Sequence, residues 1–87
     1  MTTYNLKVTV TEIRGKGHCE YGIKKGDTFL LDDDTKGVPC MYANSAIFPF
    51  ISGMRYGAAF PWEPDPNVGY ACCPDPYNTV VFKIERV

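Results

Sequence analysis

Leu6, Val8 and Val10 alternate with Lys7, Thr9 and Thr11 through YNLKVTVTEI. That period of two belongs to a strand with one buried face, and it predicts a strand from Tyr4 to Ile13. RGKGHCEYGIKKGD follows, with four glycines and no periodicity, and reads as a loop. Gly26-Asp27 is a turn signal before a second strand, TFLLD. DDDTKGVPC is polar and turn-forming. From Met41 to Tyr56 the pattern changes to helical spacing, with Ala43, Ala46, Ile47, Phe50, Ile51 and Met54 on the repeat. Pro49 interrupts this segment, which predicts a kink or two short helices, closed by Gly57. GAAFPWEPDPNVG carries three prolines and reads as a stiff, extended loop. Two more strands are expected, from Gly69 to Cys73 and from Val80 to Val87, where Val80, Phe82 and Ile84 alternate with Val81, Lys83 and Glu85.

The order β-β-α-β-β predicts a small α+β fold: one domain over residues 1–87, with a mostly antiparallel sheet, curled or partly closed into a barrel, packed on one kinked helical segment. A chain of 87 residues buries only about 60 to 65% of the surface it exposes when unfolded. Such small cores often lean on a metal, a disulfide or a partner, and so the four cysteines need an explanation.

Composition removes several functions. Nine Lys and Arg stand against ten Asp and Glu, giving a net charge of -1 and no general attraction to nucleic acid. No stretch has the roughly 18 to 20 apolar residues of a spanning helix, so no membrane role is expected. MTTYNLKVTV lacks the features of a secretion signal, which points to the cytoplasm and to cysteines that are thiols, metal ligands or catalytic groups.

The local motifs are weak. Asp32, Asp34 and Gly37 start like a calcium loop of the EF-hand type, but Lys36 and Ala43 stand where ligands belong, and a solvated turn is the better reading. The spacing of Gly15, Gly17, Gly22 and Gly26 matches no phosphate-binding loop. Lys24-Lys25 and Arg14-Lys16 read as solvated charges. His18 is the only histidine and reads as an exposed loop residue, because in extended chain it points away from Cys19. The aromatics Phe48, Phe50, Tyr56, Phe60 and Trp62 read as core, with Trp62 as a plug at one end of the sheet.

The cysteines carry most of the remaining information. Cys19 falls in a loop, Cys40 at the helix entrance, and Cys72 and Cys73 at a strand end. None has the CxxC spacing of a zinc knuckle. Neighbours in a strand point to opposite faces, so Cys72 and Cys73 should not act as a pair; Cys73 is assigned to a common site with Cys19 and Cys40, and Cys72 to packing.

KGHCEYGIKKGDTF, GVPCMYANSAIFPFISGMRYG, FPWEPDPNVGYACCPD and VVFKIERV together resemble an uncharacterised repeat protein family of about this size from anaerobic bacteria and archaea. The resemblance implies that Cys19, Cys40 and Cys73 are the recurring cysteines, along with the Gly26-Asp27 turn, Pro49 and Pro74-Asp75. It implies no reaction, and Cys72 and His18 fall outside its pattern.

The leading expectation is therefore a soft metal centre, an iron-sulfur cluster or zinc, held by the thiolates of Cys19, Cys40 and Cys73, with Cys72 or His18 needed to close the fourth position. The alternative is a cofactor-free structural or protein-interaction domain with reduced, partly buried cysteines, in a homo-oligomer or with a protein partner. A thiol enzyme is a third reading, for which the helix entrance at Cys40 offers the one ready cause of activation. The C-terminal strand could pair with another chain unless it lies inside the sheet.

Overall fold

The computed structural model describes residues 3–34 and 37–87. The turn expected over 32–40 and the Lys36 step of the calcium-loop comparison fall partly outside them. Four strands, β1 (Leu6–Ile13), β2 (Thr28–Leu31), β3 (Val68–Cys72) and β4 (Val80–Arg86), and one helix, α1 (Met41–Arg55), follow the order β-β-α-β-β. The sheet is antiparallel throughout, in the spatial order β2-β1-β4-β3. It is open: β2 and β3 are its edges, and the C-terminal strand β4 is internal, paired on both sides.

One face of the sheet is covered. Leu6, Val8 and Val10 of β1 and Val80, Phe82 and Ile84 of β4 meet Ala43, Ile47, Ile51 and Met54 of α1 in a single buried cluster. The alternation of β1 would next place Glu12 in that core and Ile13 in water. A bulge prevents it. Val10 pairs with Phe82 and Glu12 with Val81, so Thr11 is the extra residue, and its hydroxyl donates to the Val81 carbonyl at 3.3 Å. The shift turns Glu12 outward and packs Ile13 against the core.

The helix runs uninterrupted through Pro49 rather than as two pieces. Pro49 and Ser45, whose carbonyl loses its partner, are both exposed, so water can meet the unpaired group. At the far end Gly57, with φ of 97°, donates to the Met54 carbonyl while Ala58 donates to Gly53, a Schellman closure at the expected glycine.

The aromatic plug differs from expectation. Trp62 is 65% exposed and lies flat on Phe60, with ring centroids 5.1 Å apart; Phe60 in turn meets Phe50 edge-on. Phe60 closes this end because Gly69 of β3 has no side chain: a Cβ there would come within 2.8 Å of the Phe60 ring and 3.0 Å of the Met54 sulfur. Phe48 and Tyr56 are also exposed, because the helix buries the 43, 47, 51, 54 stripe and turns these two to solvent. No helix among the described residues is long and apolar enough to cross a membrane.

Candidate functional site

Three separate segments meet at the N-terminal end of α1. The β1-to-β2 loop is pinned there by Ile23, which is buried in the core, and by a Cys19 turn closed by the Gly22 N–H. Cys40 is the N-cap residue of α1, extended in backbone and 8% exposed, and its thiol makes no capping bond. Asn44 organises the entrance instead. Its Oδ1 accepts the Val38 N–H at 2.8 Å, and its Nδ2 donates back to the Val38 carbonyl. With no acidic residue in the first turn, the positive end of the helix is left without a countercharge of its own.

The third segment is the turn between β3 and β4. Cys73 pairs through its backbone with Val80 at 3.0 Å, and its sulfur accepts the Val80 N–H at 3.2 Å and faces the Asn78 carbonyl at 3.9 Å. Asp75 holds the turn from within. Its Oδ1 accepts the N–H groups of Tyr77 at 2.9 Å and Asn78 at 3.2 Å, while its carbonyl accepts the Thr79 hydroxyl.

Between these segments lies a cavity of about 380 Å³, lined among others by Cys19, Tyr21, Cys40, Tyr42, Cys73 and Asp75. The three cysteines grouped by sequence thus share one cavity. Neither Cys72 nor His18 lines it. Cys72 is not a packing residue: it lies exposed on the face of β3 opposite the helix, because the core register 69, 71 and 82, 84 puts Cys73, not Cys72, on the helix side. His18 is exposed, as expected of a loop histidine. The tyrosines carry no signal in the sequence, and Asp75 enters there only with Pro74 as part of the family resemblance, two residues from Cys73, and not as a site residue.

Tyr21 and Tyr42 stand side by side, ring centroids 6.0 Å apart and inclined at 50°. Repulsion from the neighbouring Tyr42 phenol, above all, holds the Tyr21 ionisation above its ordinary value. Partial desolvation, the Cys40 thiol, a hydrogen bond to Tyr42 and the Cys19 thiol act in the same direction. Tyr42→Phe is expected to return Tyr21 toward that value. An NMR titration of the Tyr21 ring checks this, and an unmoved midpoint would rule out Tyr42 as the cause.

As the side chains stand, no three His, Cys, Asp or Glu among the described residues form a group able to hold a metal ion. A zinc ion with bonds near 2.3 Å needs its sulfurs roughly 3.8 Å from one another. The three cysteines edge a cavity of about 380 Å³. No family model, curated protein or solved structure matches the chain.

Proposed function

We propose that the cavity holds an iron-sulfur cluster through Cys19, Cys40 and Cys73. The observation that carries this reading is the convergence of those three cysteines, from a loop, a helix cap and a strand end, on one cavity that excludes Cys72. A cluster is favoured over zinc because its own iron and sulfide atoms stand between the cysteine sulfurs, so its ligands lie further apart than those of one ion. The Val80 N–H on the Cys73 sulfur is a further support, since hydrogen bonds to sulfur stabilise thiolate ligands and tune a cluster's potential. When bound, such a group supplies electron transfer, or Lewis-acid chemistry at an iron without a cysteine.

The test is anaerobic purification and reconstitution, followed by iron and sulfide analysis and an absorption spectrum. Brown protein with matching iron and sulfide is expected. Cys19→Ser, Cys40→Ser and Cys73→Ser should each strip most of the iron, whereas Cys72→Ser should retain it. Colourless, iron-free wild type after reconstitution overturns the reading. It would leave the cofactor-free interaction domain, a reading that the exposed Trp62 stacked on Phe60 favours independently.

A further inference from the structure

The sheet ends at β3, which pairs with β4 and on its other side with no strand among the described residues. The register fixes which of its backbone groups are spent. The Cys73 N–H donates to the Val80 carbonyl at 3.0 Å and the Arg86 N–H to the Asn67 carbonyl at 3.0 Å, so both ends of the ladder are hydrogen-bonded pairs. Such pairs alternate along antiparallel strands: Gly69 and Ala71 bond to β4, while Val68, Tyr70 and Cys72 turn their N–H and C=O groups away from it. Val68 spends its N–H on the Asp65 carbonyl at 3.2 Å. Tyr70 and Cys72, both exposed, keep donor and acceptor for a further strand. Edges are ordinarily blunted by a lysine, a proline or a bulge within the strand, and VGYAC of β3 has none of these.

The surrounding charge says what fits this edge. From Tyr56 to Phe82 the chain has Glu63, Asp65 and Asp75 and no Lys, Arg or His, although the whole chain is nearly neutral at -1. The loops that enter and leave β3 are thus acidic. Lys83, opposite Tyr70 on β4, is offset by Glu85, whose carboxylate lies 3.8 Å from its Nζ. A second copy docked β3 against β3 would bring like carboxylates together, and the other edge, β2, is short and runs into Asp32, Asp33 and Asp34. Neither supplies the opposite charge. On the helix side the edge has an apolar neighbour, since Phe60 sits over Gly69 and carries the exposed Trp62 stacked on it. Arg86 braces the loop that holds them through the Ala58 and Pro66 carbonyls, so it is ordered before anything docks.

We propose that the β3 edge receives an extended segment of a partner protein, apolar at alternate positions and flanked by Lys or Arg, which adds a strand to the sheet. Backbone bonds to Tyr70 and Cys72 hold it, its cations meet Glu63 and Asp65, and an apolar side chain rests against the Phe60 and Trp62 stack. The proposal is independent of whether the cysteine cavity holds a cluster.

The test uses the whole chain and a capped peptide of alternating valine and threonine with paired lysines at both ends. Titrating it should shift the amide resonances of Tyr70 and Cys72 and slow their exchange with solvent, while Gly69 and Ala71, already bonded to β4, change less. The same peptide with glutamates for lysines should bind at least about tenfold more weakly. A lysine peptide N-methylated at alternate residues, on the edge that would donate to β3, should not bind, a control that leaves the protein untouched. Glu63→Gln with Asp65→Asn should weaken the lysine peptide several-fold, and the turn survives because the new amide oxygen still accepts the Asn67 N–H. No shift at Tyr70 and Cys72 with about 1 mM lysine peptide overturns the proposal, as does equal binding of the glutamate peptide. Shifts of the same amides with protein concentration alone would assign the edge to a second copy and overturn the choice of partner.

Discussion

Arg86→Met is expected to destabilise the fold by about 3 to 4 kcal/mol, because it leaves three carbonyls, two of them at part-buried bonds, without the donor they share. The side chain of Arg86 continues the core-facing register of Val80, Phe82 and Ile84 and reaches the C-terminal end of α1. There Nε donates to the Met54 carbonyl at 3.0 Å, Nη1 to the Pro66 carbonyl at 2.7 Å, and Nη2 to the Ala58 carbonyl. The guanidinium also lies 5.0 Å from the centre of the Tyr4 ring. One side chain thus joins the internal strand, the end of the helix and the proline-rich loop. Its positive charge also lies at the helix end where a cation is favoured.

Methionine keeps much of the stem and none of the donors or the charge, so the loss reports the guanidinium's polar contacts and not the packing. A domain of this length has roughly 4 to 13 kcal/mol of stability in all, and so the variant should melt at least roughly 12 °C lower. Arg86→Lys keeps the charge but not the planar fork that spans carbonyls from three directions, and should recover less than half of the loss. Chemical denaturation of the three proteins checks this. A change within about 1 kcal/mol for Arg86→Met would mean that water replaces the guanidinium at no cost.

Arg86 also shows where sequence reading stops. The alternation in β1 and β4, the helical stripe and the glycine closure are local patterns, and each element forms where its pattern lies. Cys40 and Cys73 sit at the ends of elements and Cys19 in the β1-to-β2 loop, and all three line one cavity. What pattern does not report is which face of a strand the helix will cover. The period-two rule separates Cys72 from Cys73, but only the register with β4 tells that Cys73 faces inward and Cys72 faces water. Trp62 was misjudged because size suggested burial, whereas Gly69 admits one ring, and Phe60 takes the place. Arg86 falls in the expected last strand, at a position that its alternation with Val80, Phe82 and Ile84 points inward. The carbonyls that satisfy it come from residues 20 and more positions away.

The second large effect is expected at Gly15, where alanine should cost about 2 to 4 kcal/mol and should also disturb the cysteine cavity. Two causes add. Gly15 has φ of +73°, the left-handed region in which a side chain is strained, and a Cβ there would stand 1.7 Å from the Tyr77 carbonyl oxygen and 2.9 Å from its carbon. These are backbone atoms and cannot rotate away. The Arg14 N–H donates to the Thr79 carbonyl at 2.8 Å and the Lys16 N–H to Asn78 Oδ1 at 3.1 Å, on either side of the contact, so moving Tyr77 breaks both bonds or shifts the whole 75–79 turn. That turn carries Asp75 and begins two residues after Cys73. Gly22→Ala and Gly26→Ala provide the comparison, since both have positive φ but nothing within 4 Å of the new Cβ. They should show only the left-handed strain, about 1 to 2 kcal/mol or less. Gly15→Ala should therefore be the least stable of the three in denaturant, and the one whose Cys73 and Asp75 amide resonances move furthest. Equal losses in all three would remove the Gly15-to-Tyr77 contact as the cause. They would also uncouple the first loop from the turn that shapes the cavity.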